Sequence, residues 1–329
     1  MRPPHWWYDP DGGWPARVLS PLGMLYAGLT ARRLARGAPH EAAVPVICVG
    51  NLDAGGTGKT PLAIALAERL LAWNVAVHVV SRGHGGRLAG PMQVLPSHSA
   101  EEVGDEPLLL SAFVPTWISR DRAAGVRAAE AAGASAVLLD DGFQNPSVRK
   151  TLSCIVVDAA RGWGNGRAIP AGPLREPVRV GLARADAVIS VGDAAAQDRF
   201  THRWGPMMDG RPHIRGELRP LPTGMPWAGL RTLAFAGIGQ PEKFFATLRD
   251  LGADIVATRS FDDHQPLGPS LLQRLEADAA RLGAQLVTTE KDAARLPPAF
   301  RARVLTVPVR LHLDDWGPLD AALARLGLG

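Results

Sequence analysis

A glycine-rich run, Gly50-Asn51-Leu52-Asp53-Ala54-Gly55-Gly56-Thr57-Gly58-Lys59-Thr60, joins an apolar β-branched stretch to a helix-forming one, an order of parts that confines the chain to few folds. Val44 to Val49 read as a buried strand, because β-branched residues fill a short apolar run that ends in glycine. After the run, Pro61 suits a first helical turn, and Leu62, Ile64, Ala65, Leu66, Leu70 and Leu71 form a helical stripe. Between them, Gly55, Gly56 and Gly58 allow successive backbone N–H groups to converge where the helix N-terminus adds positive partial charge, which makes a phosphate site. The expected contact set is Asp53, Ala54, Gly55, Gly56, Thr57, Gly58, Lys59 and Thr60, with Lys59 reaching the β and γ phosphates of ATP and the Thr60 hydroxyl ligating Mg²⁺. The usual pattern has glycine where this chain has Asp53, and an acid beside phosphates must point away or meet the metal.

The 329 residues leave room for two α/β units, and the formal charge of +4 is too small to argue for nucleic acid. Cys48 and Cys154 both fall in predicted buried strands, which fits reduced packing thiols and a cytoplasmic setting. Strands are expected near Val75–Val80, Thr116–Ser119, Ala136–Asp140, Leu152–Val157 and Ala187–Val191, alternating with helices as in a doubly wound, mainly parallel sheet. A Gly-, Pro- and Arg-rich stretch follows, with His213–Leu218 as a linking strand. Beyond it, strands at Thr232–Gly237, Ile255–Ser260, Gln285–Thr289 and Val304–Val309 alternate with helical patterns. The expected division is an N-terminal helical segment at 1–40, a P-loop domain at 41–205, a linker at 206–226 and a smaller C-terminal α/β domain at 227–329.

The N-terminus carries Trp6, Trp7, Tyr8 and Trp14, then an apolar segment with Val18, Leu19, Leu22, Met24, Leu25, Tyr26 and Leu29, closed by Arg32, Arg33 and Arg36. Its apolar part is too short to span a bilayer, and the tryptophans are foreign to a signal peptide. Either it is an amphipathic helix lying in a membrane interface, or it packs on the sheet.

Further along, Ala136–Leu139 leads into Asp140 and Asp141 at the carboxyl end of a buried strand, the place where open α/β sheets bind ligands. These two are the expected Mg²⁺ carboxylates, unless the Asp-Asp-Gly sequence is simply a surface turn. Asp105 opens a helix and, on the residues alone, reads as a first-turn acid favoured by the dipole. His264 stands alone after a strand of the second domain, where a structural role is the ordinary one.

Taken together, Gly50–Pro61, Ser81-Arg82-Gly83, Gly104–Pro107, Asp140-Asp141-Gly142-Phe143-Gln144, Pro170–Pro177, Asp263-His264 and Thr289–Ala293 resemble the tetraacyldisaccharide 4′-kinase family of lipid A biosynthesis, in order and over nearly the whole chain. The resemblance implies transfer of the ATP γ-phosphoryl to the 4′-hydroxyl of tetraacyldisaccharide 1-phosphate. It also implies a monomer attached peripherally to the cytoplasmic face of the bacterial inner membrane by its N-terminal helix. By the family pattern, Lys59 grips phosphates, Thr60, Asp140 and Asp141 manage Mg²⁺, and Asp105 acts as base with His264 in support. Arg175 and Glu176 are substrate candidates that could equally brace their loop. The chain departs from that pattern at Asp53, where a small hydroxyl residue is common, at His84 for an aromatic, at Asn145 for His, and at Gln265 for a second His. The alternative is a membrane-associated P-loop ATPase or GTPase switch. Guanine selection would need a Thr/Asn-Lys-x-Asp run, and Thr289-Glu290-Lys291-Asp292 displaces the lysine by one position.

Overall fold

The computed structural model describes residues 3–36, 38–262 and 265–329, and within them it places thirteen strands in two sheets. In chain order these are β1 (Val46–Gly50), β2 (Val77–Ser81), β3 (Met92–Gln93), β4 (Thr116–Ile118), β5 (Ala136–Asp140), β6 (Leu152–Asp158), β7 (Ala187–Val191), β8 (His213–Pro220), β9 (Arg231–Ala236), β10 (Asp254–Ser260), β11 (Gln285–Thr289), β12 (Leu305–Val307) and β13 (Val309–Leu313). The larger sheet runs β13-β8-β7-β6-β1-β5-β2-β4-β3, and the smaller runs β10-β9-β11-β12. From β8 to β4 every pairing is parallel, and only the edge strands β13 and β3 are antiparallel. This is the expected doubly wound class. β1, β5, β6 and β7 are buried along their whole length, as unbroken apolar strands covered on both faces must be.

β1 begins two residues later than its sequence suggests, because Pro45 has no N–H to give a ladder. The helix Lys59–Ala72 buries Leu62 through Ala67 and Leu70 almost all round, so it is an internal element and not a one-sided stripe. It lies over the strands beside β1, and the C-terminal helix Gly317–Arg325 contributes Leu319 and Leu323 to the same core.

The pairing redraws the expected division. Strand 213–220, assigned by the sequence to a linker, is a full member of the larger sheet between β7 and β13. The run Val304–Val309, expected as one strand, is two: β12 in the smaller sheet and β13 in the larger. Pro308 separates them, since a residue without an N–H cannot continue the ladder, and its carbonyl instead accepts from the Leu221 N–H at 2.9 Å. Residues 309–329 therefore return to the larger sheet, so the unit built on the smaller sheet ends near Pro308 and not at the C-terminus.

Helix Gly13–Ala35 runs along the outside of the larger unit. Its buried residues are Ala16, Gly23 and Thr30, each seven apart, a narrow line of small side chains. Trp14, Val18, Leu22, Leu25 and Leu29, spaced four, four, three and four, form an exposed stripe on another face, and exposed Arg32 and Arg36 continue it. No helix of the described residues is long and apolar enough to cross a membrane.

Candidate active site

The carboxyl ends of β1 and β5 meet at the point where strand order reverses, and the glycine-rich run begins there. Gly50 is needed for that meeting: a Cβ on it would lie 2.4 Å from the Phe143 Cβ, so only glycine lets the turn after β5 close against the loop. Gly58 takes φ +98° immediately before the helix, a conformation that L side chains rarely adopt. A Cβ at Gly55 or Gly56 would meet nothing within 4 Å, so the cradle opens outward.

Four buried polar atoms around this cradle have no hydrogen-bond partner within the protein: Asn51 Oδ1, Asp53 Oδ1, Thr57 Oγ1 and Asp140 Oδ1. Orphaned buried acceptors are costly, so their gathering in one place is the mark of a ligand-completed site. Lys59 Nζ lies 3.8 Å from Asp141 Oδ1, and Arg175 Nη1 lies 3.3 Å from the same oxygen. Asp141 itself holds φ 52°, in the left-handed region that Asp tolerates better than most residues. Such strain is concentrated at functional turns.

The two neighbouring carboxyls are tuned apart. Burial acts to raise Asp141, but Lys59, Arg175 and Arg122 outweigh it and hold the group below the usual carboxylate range. Burial, then the nearby Glu106 and Asp141 charges, push Asp140 up to about 7, although Lys59 and the Ser81 hydroxyl, which donates at 3.1 Å, pull the other way. Cations thus hold Asp141 towards its charged form, while burial favours the neutral form of Asp140, which a bound cation would reverse. The residues fit Mg²⁺: Asp140, Asp141 and the Thr60 hydroxyl are hard oxygen donors beside a phosphate cradle. Among the described residues no group of three or more His, Cys, Asp or Glu is placed to hold a metal ion.

Asp105, at the start of helix Asp105–Leu110, is buried at 5% exposure, and its Oδ2 lies 3.9 Å from Arg295 Nε. Arg295 ends helix Glu290–Arg295 of the smaller unit. It also pairs with Asp292 and donates to the carbonyls of Gln265 at 3.2 Å and Gly237 at 3.4 Å. The same two helices are joined by Lys291 to Glu106 at 3.7 Å. The predicted partner His264, with Asp263, lies outside the described residues. Asp292 is fully buried, taking the Gly237 N–H at 3.0 Å and the Thr289 hydroxyl at 2.7 Å. Its oxygens are committed to holding the smaller unit together, so it has none to spare for reading guanine.

Glu176 is 1% exposed, accepts from Arg184 at 2.5 Å and from Gln144 Nε2 at 3.0 Å, and so braces the loop. Gln144 also donates to the Asn51 carbonyl at 2.8 Å, tying the turn after β5 to the glycine-rich run. Asn145 caps its own turn, taking both the N–H and the hydroxyl of Ser147. Three further residues belong to the site's surroundings: Glu106, Arg295 and Asp158. Asp158 ends β6 beside the cradle, 2.7 Å from Gln240 Nε2 and 2.9 Å from Lys243 Nζ of the smaller unit. Burial would raise it, yet Lys243 and Gln240 hold it low. Its position at a strand's carboxyl end was the available signal, the same rule that singled out Asp140.

Comparison with known proteins agrees with this geometry. The Tetraacyldisaccharide-1-P 4′-kinase family model matches residues 15–327. Among similar curated proteins, the tetraacyldisaccharide 4′-kinase of Dinoroseobacter shibae is 63% identical, covering 99% of this chain and 98% of that one. Its counterpart in a Jannaschia species is 61% identical over 99% of each. The solved "apo" form of LpxK from Aquifex aeolicus in complex with ATP is 26% identical with a TM-score of 0.76, covering 94% of this chain and 99% of that one. With the match running through both sheets and all the site loops, the chain belongs to the tetraacyldisaccharide-1-phosphate 4′-kinase family.

Proposed function

We propose that the chain transfers the γ-phosphoryl group of ATP, with Mg²⁺, to the 4′-hydroxyl of tetraacyldisaccharide 1-phosphate in lipid A biosynthesis. The observation that carries this reading is the convergence of Lys59, Asp140 and Asp141 with four unpartnered buried polar atoms around an open glycine cradle. Lys59 and the loop N–H groups hold the phosphates, and Arg175, already directed at Asp141, adds a second positive charge at the same place. Thr60, Asp140 and Asp141 would hold Mg²⁺, which supplies charge neutralisation on the transferring group. Asp105 takes the hydroxyl proton, with His264 in support. Arg295 places a positive charge 3.9 Å from Asp105 and donates to the Gln265 carbonyl, so it joins Asp105 to the smaller unit.

The two sheets serve as two units, 41–220 with 309–329 and 221–308, and the acceptor site is read between them. The exposed stripe of helix Gly13–Ala35 lies in the inner-membrane interface on the cytoplasmic side, its arginines meeting anionic headgroups. A cavity of about 220 Å³ lined by Ala27, Ala31, Pro177 and Val180 lies between this helix and the segment after Arg175, where acyl chains would be accommodated by a monomer. The test is transfer of label from γ-labelled ATP to purified tetraacyldisaccharide 1-phosphate. A labelled lipid that is absent when Lys59 is replaced by alanine supports the reading, and no labelled lipid from the intact protein refutes it.

A further inference from the structure

Asp53 is the residue of the phosphate loop that the kinase mechanism leaves without a task. It is 5% exposed and its Oδ1 has no partner. It cannot be moved aside by re-forming the loop, because the backbone on both sides is tied down: Asp53 bridges Leu174, Ala54 N–H donates to the Pro173 carbonyl at 2.8 Å, and Arg175 N–H to the Leu52 carbonyl at 2.7 Å.

Its electrostatic surroundings come from four elements. Lys59 from the following helix and Arg175 from the 170–177 loop attract it, and Arg161, stacked 5.0 Å from the Tyr8 ring, adds a weaker pull. Asp158 at the end of β6 repels it, and Tyr8 from the N-terminal segment lies in the same field. Burial dominates, pushing the carboxyl up to about 7 despite the cations. Both main cations are already shared with Asp141. A triphosphate drawing on Lys59 would weaken what holds Asp53 ionised and add negative charge beside it. The cheaper state is then the neutral acid.

We propose that Asp53 couples nucleotide binding to protons: the binding of a nucleoside triphosphate is accompanied by uptake of one solvent proton onto the Asp53 carboxylate. The proton adds to a carboxylate oxygen, no other bond forms or breaks, and a carboxyl whose Oδ1 has no donor in the protein gains an O–H where it had only acceptors. This rests on the reading of the loop as an ATP site. By linkage, the Asp53 contribution lowers affinity by up to about tenfold per pH unit once the free carboxyl is ionised and levels off at acid pH, where Asp53 is neutral before the nucleotide arrives, and it is read as the difference between parent and Asp53 variants because both share the Asp140 proton.

The experiment is calorimetric titration of the full chain with Mg²⁺ and the non-hydrolysable analogue AMPPNP, in buffers of differing ionisation enthalpy, from about pH 6 to about pH 8.5. The expected result is a difference between parent and Asp53→Asn that rises towards one proton taken up per nucleotide at the alkaline end and vanishes at the acid end, the proton that Mg²⁺ displaces from Asp140 being common to both. Asp53→Asn should lose that uptake and bind more tightly than the parent at alkaline pH. If Asp53→Asn fails to fold, Asp53→Thr makes the same comparison. An equal proton count in parent and variant across the whole range overturns the proposal while the ATP site stands. Failure of the parent to bind the analogue at any pH overturns the site reading and this proposal together.

Discussion

Replacing Leu22, Leu25 and Leu29 together with glutamine tests what the exposed stripe of the N-terminal helix does. Glutamine is close to leucine in helix propensity, so the helix itself should persist. The three side chains are 53%, 60% and 60% exposed, so most of their apolar surface faces outward in the protein alone. Full burial of a leucine is worth about 1.5–3 kcal/mol, and the exposed fractions leave about 1–1.5 kcal/mol each to be gained in a membrane interface. The triple change should therefore cost about 3–4 kcal/mol of vesicle affinity, a loss of some hundredfold to thousandfold. Flotation with vesicles containing anionic phospholipid measures it, and thermal unfolding in solution serves as the control, where little change is expected. Arg32 and Arg36 remain, so residual binding should be sensitive to salt. Unchanged flotation would show that the stripe is not the contact. A large fall in Tm would show that it packs against protein instead.

Gly23→Val should destabilise the chain by about 1–3 kcal/mol, because a Cβ there would sit 2.7 Å from the Ala168 carbonyl oxygen, whereas Gly28→Ala in the same helix, with nothing within 4 Å, should be neutral or slightly stabilising; paired Tm measurements decide. Asp105→Asn should lower turnover about 10²- to 10⁴-fold while analogue binding persists, and near-normal turnover would remove Asp105 from the proton transfer. Arg295→Ala strips a buried cation from Asp292 and Asp105 and should cost about 3–5 kcal/mol, read by denaturant unfolding. Asp140 has a folded-state pKa raised to about 7, so its contribution to stability is fully present below the unfolded pKa and is lost as pH rises through about 7. Without metal, the parent's Tm should thus fall relative to Asp140→Asn across that range, and Mg²⁺ with nucleotide should recover the difference only in the parent.

Much of the donor side of the site was legible in the chain itself. Lys59, Thr60, Asp140 and Asp141 announce themselves because each lies within a few residues of the strand end that presents it. What the periodicity concealed were pairs whose members are far apart. Arg295 reaches Asp105, Lys243 and Gln240 reach Asp158, and Gln144 links Asn51 to Glu176, none of them through a local pattern. Glu176 shows the same limit in another form. Its sequence neighbours suggest a substrate contact or a brace without choosing, and its burial against Arg184 shows it engaged as a brace.

By itself the sequence determined the phosphate loop, the alternation of strand and helix, and the carboxylates at strand ends, because backbone conformation and amphipathic period act over a few residues. Strand partnership is settled over the whole chain by which edges remain open. Only the tertiary structure sent β8 and β13 to the larger sheet, with Pro308 breaking one apolar run into two strands of different sheets. Likewise Asp53 was visible from the start as an acid where glycine is usual. Its burial between Lys59, Arg175 and Asp158, which makes it a group able to exchange a proton near neutrality, follows from packing alone.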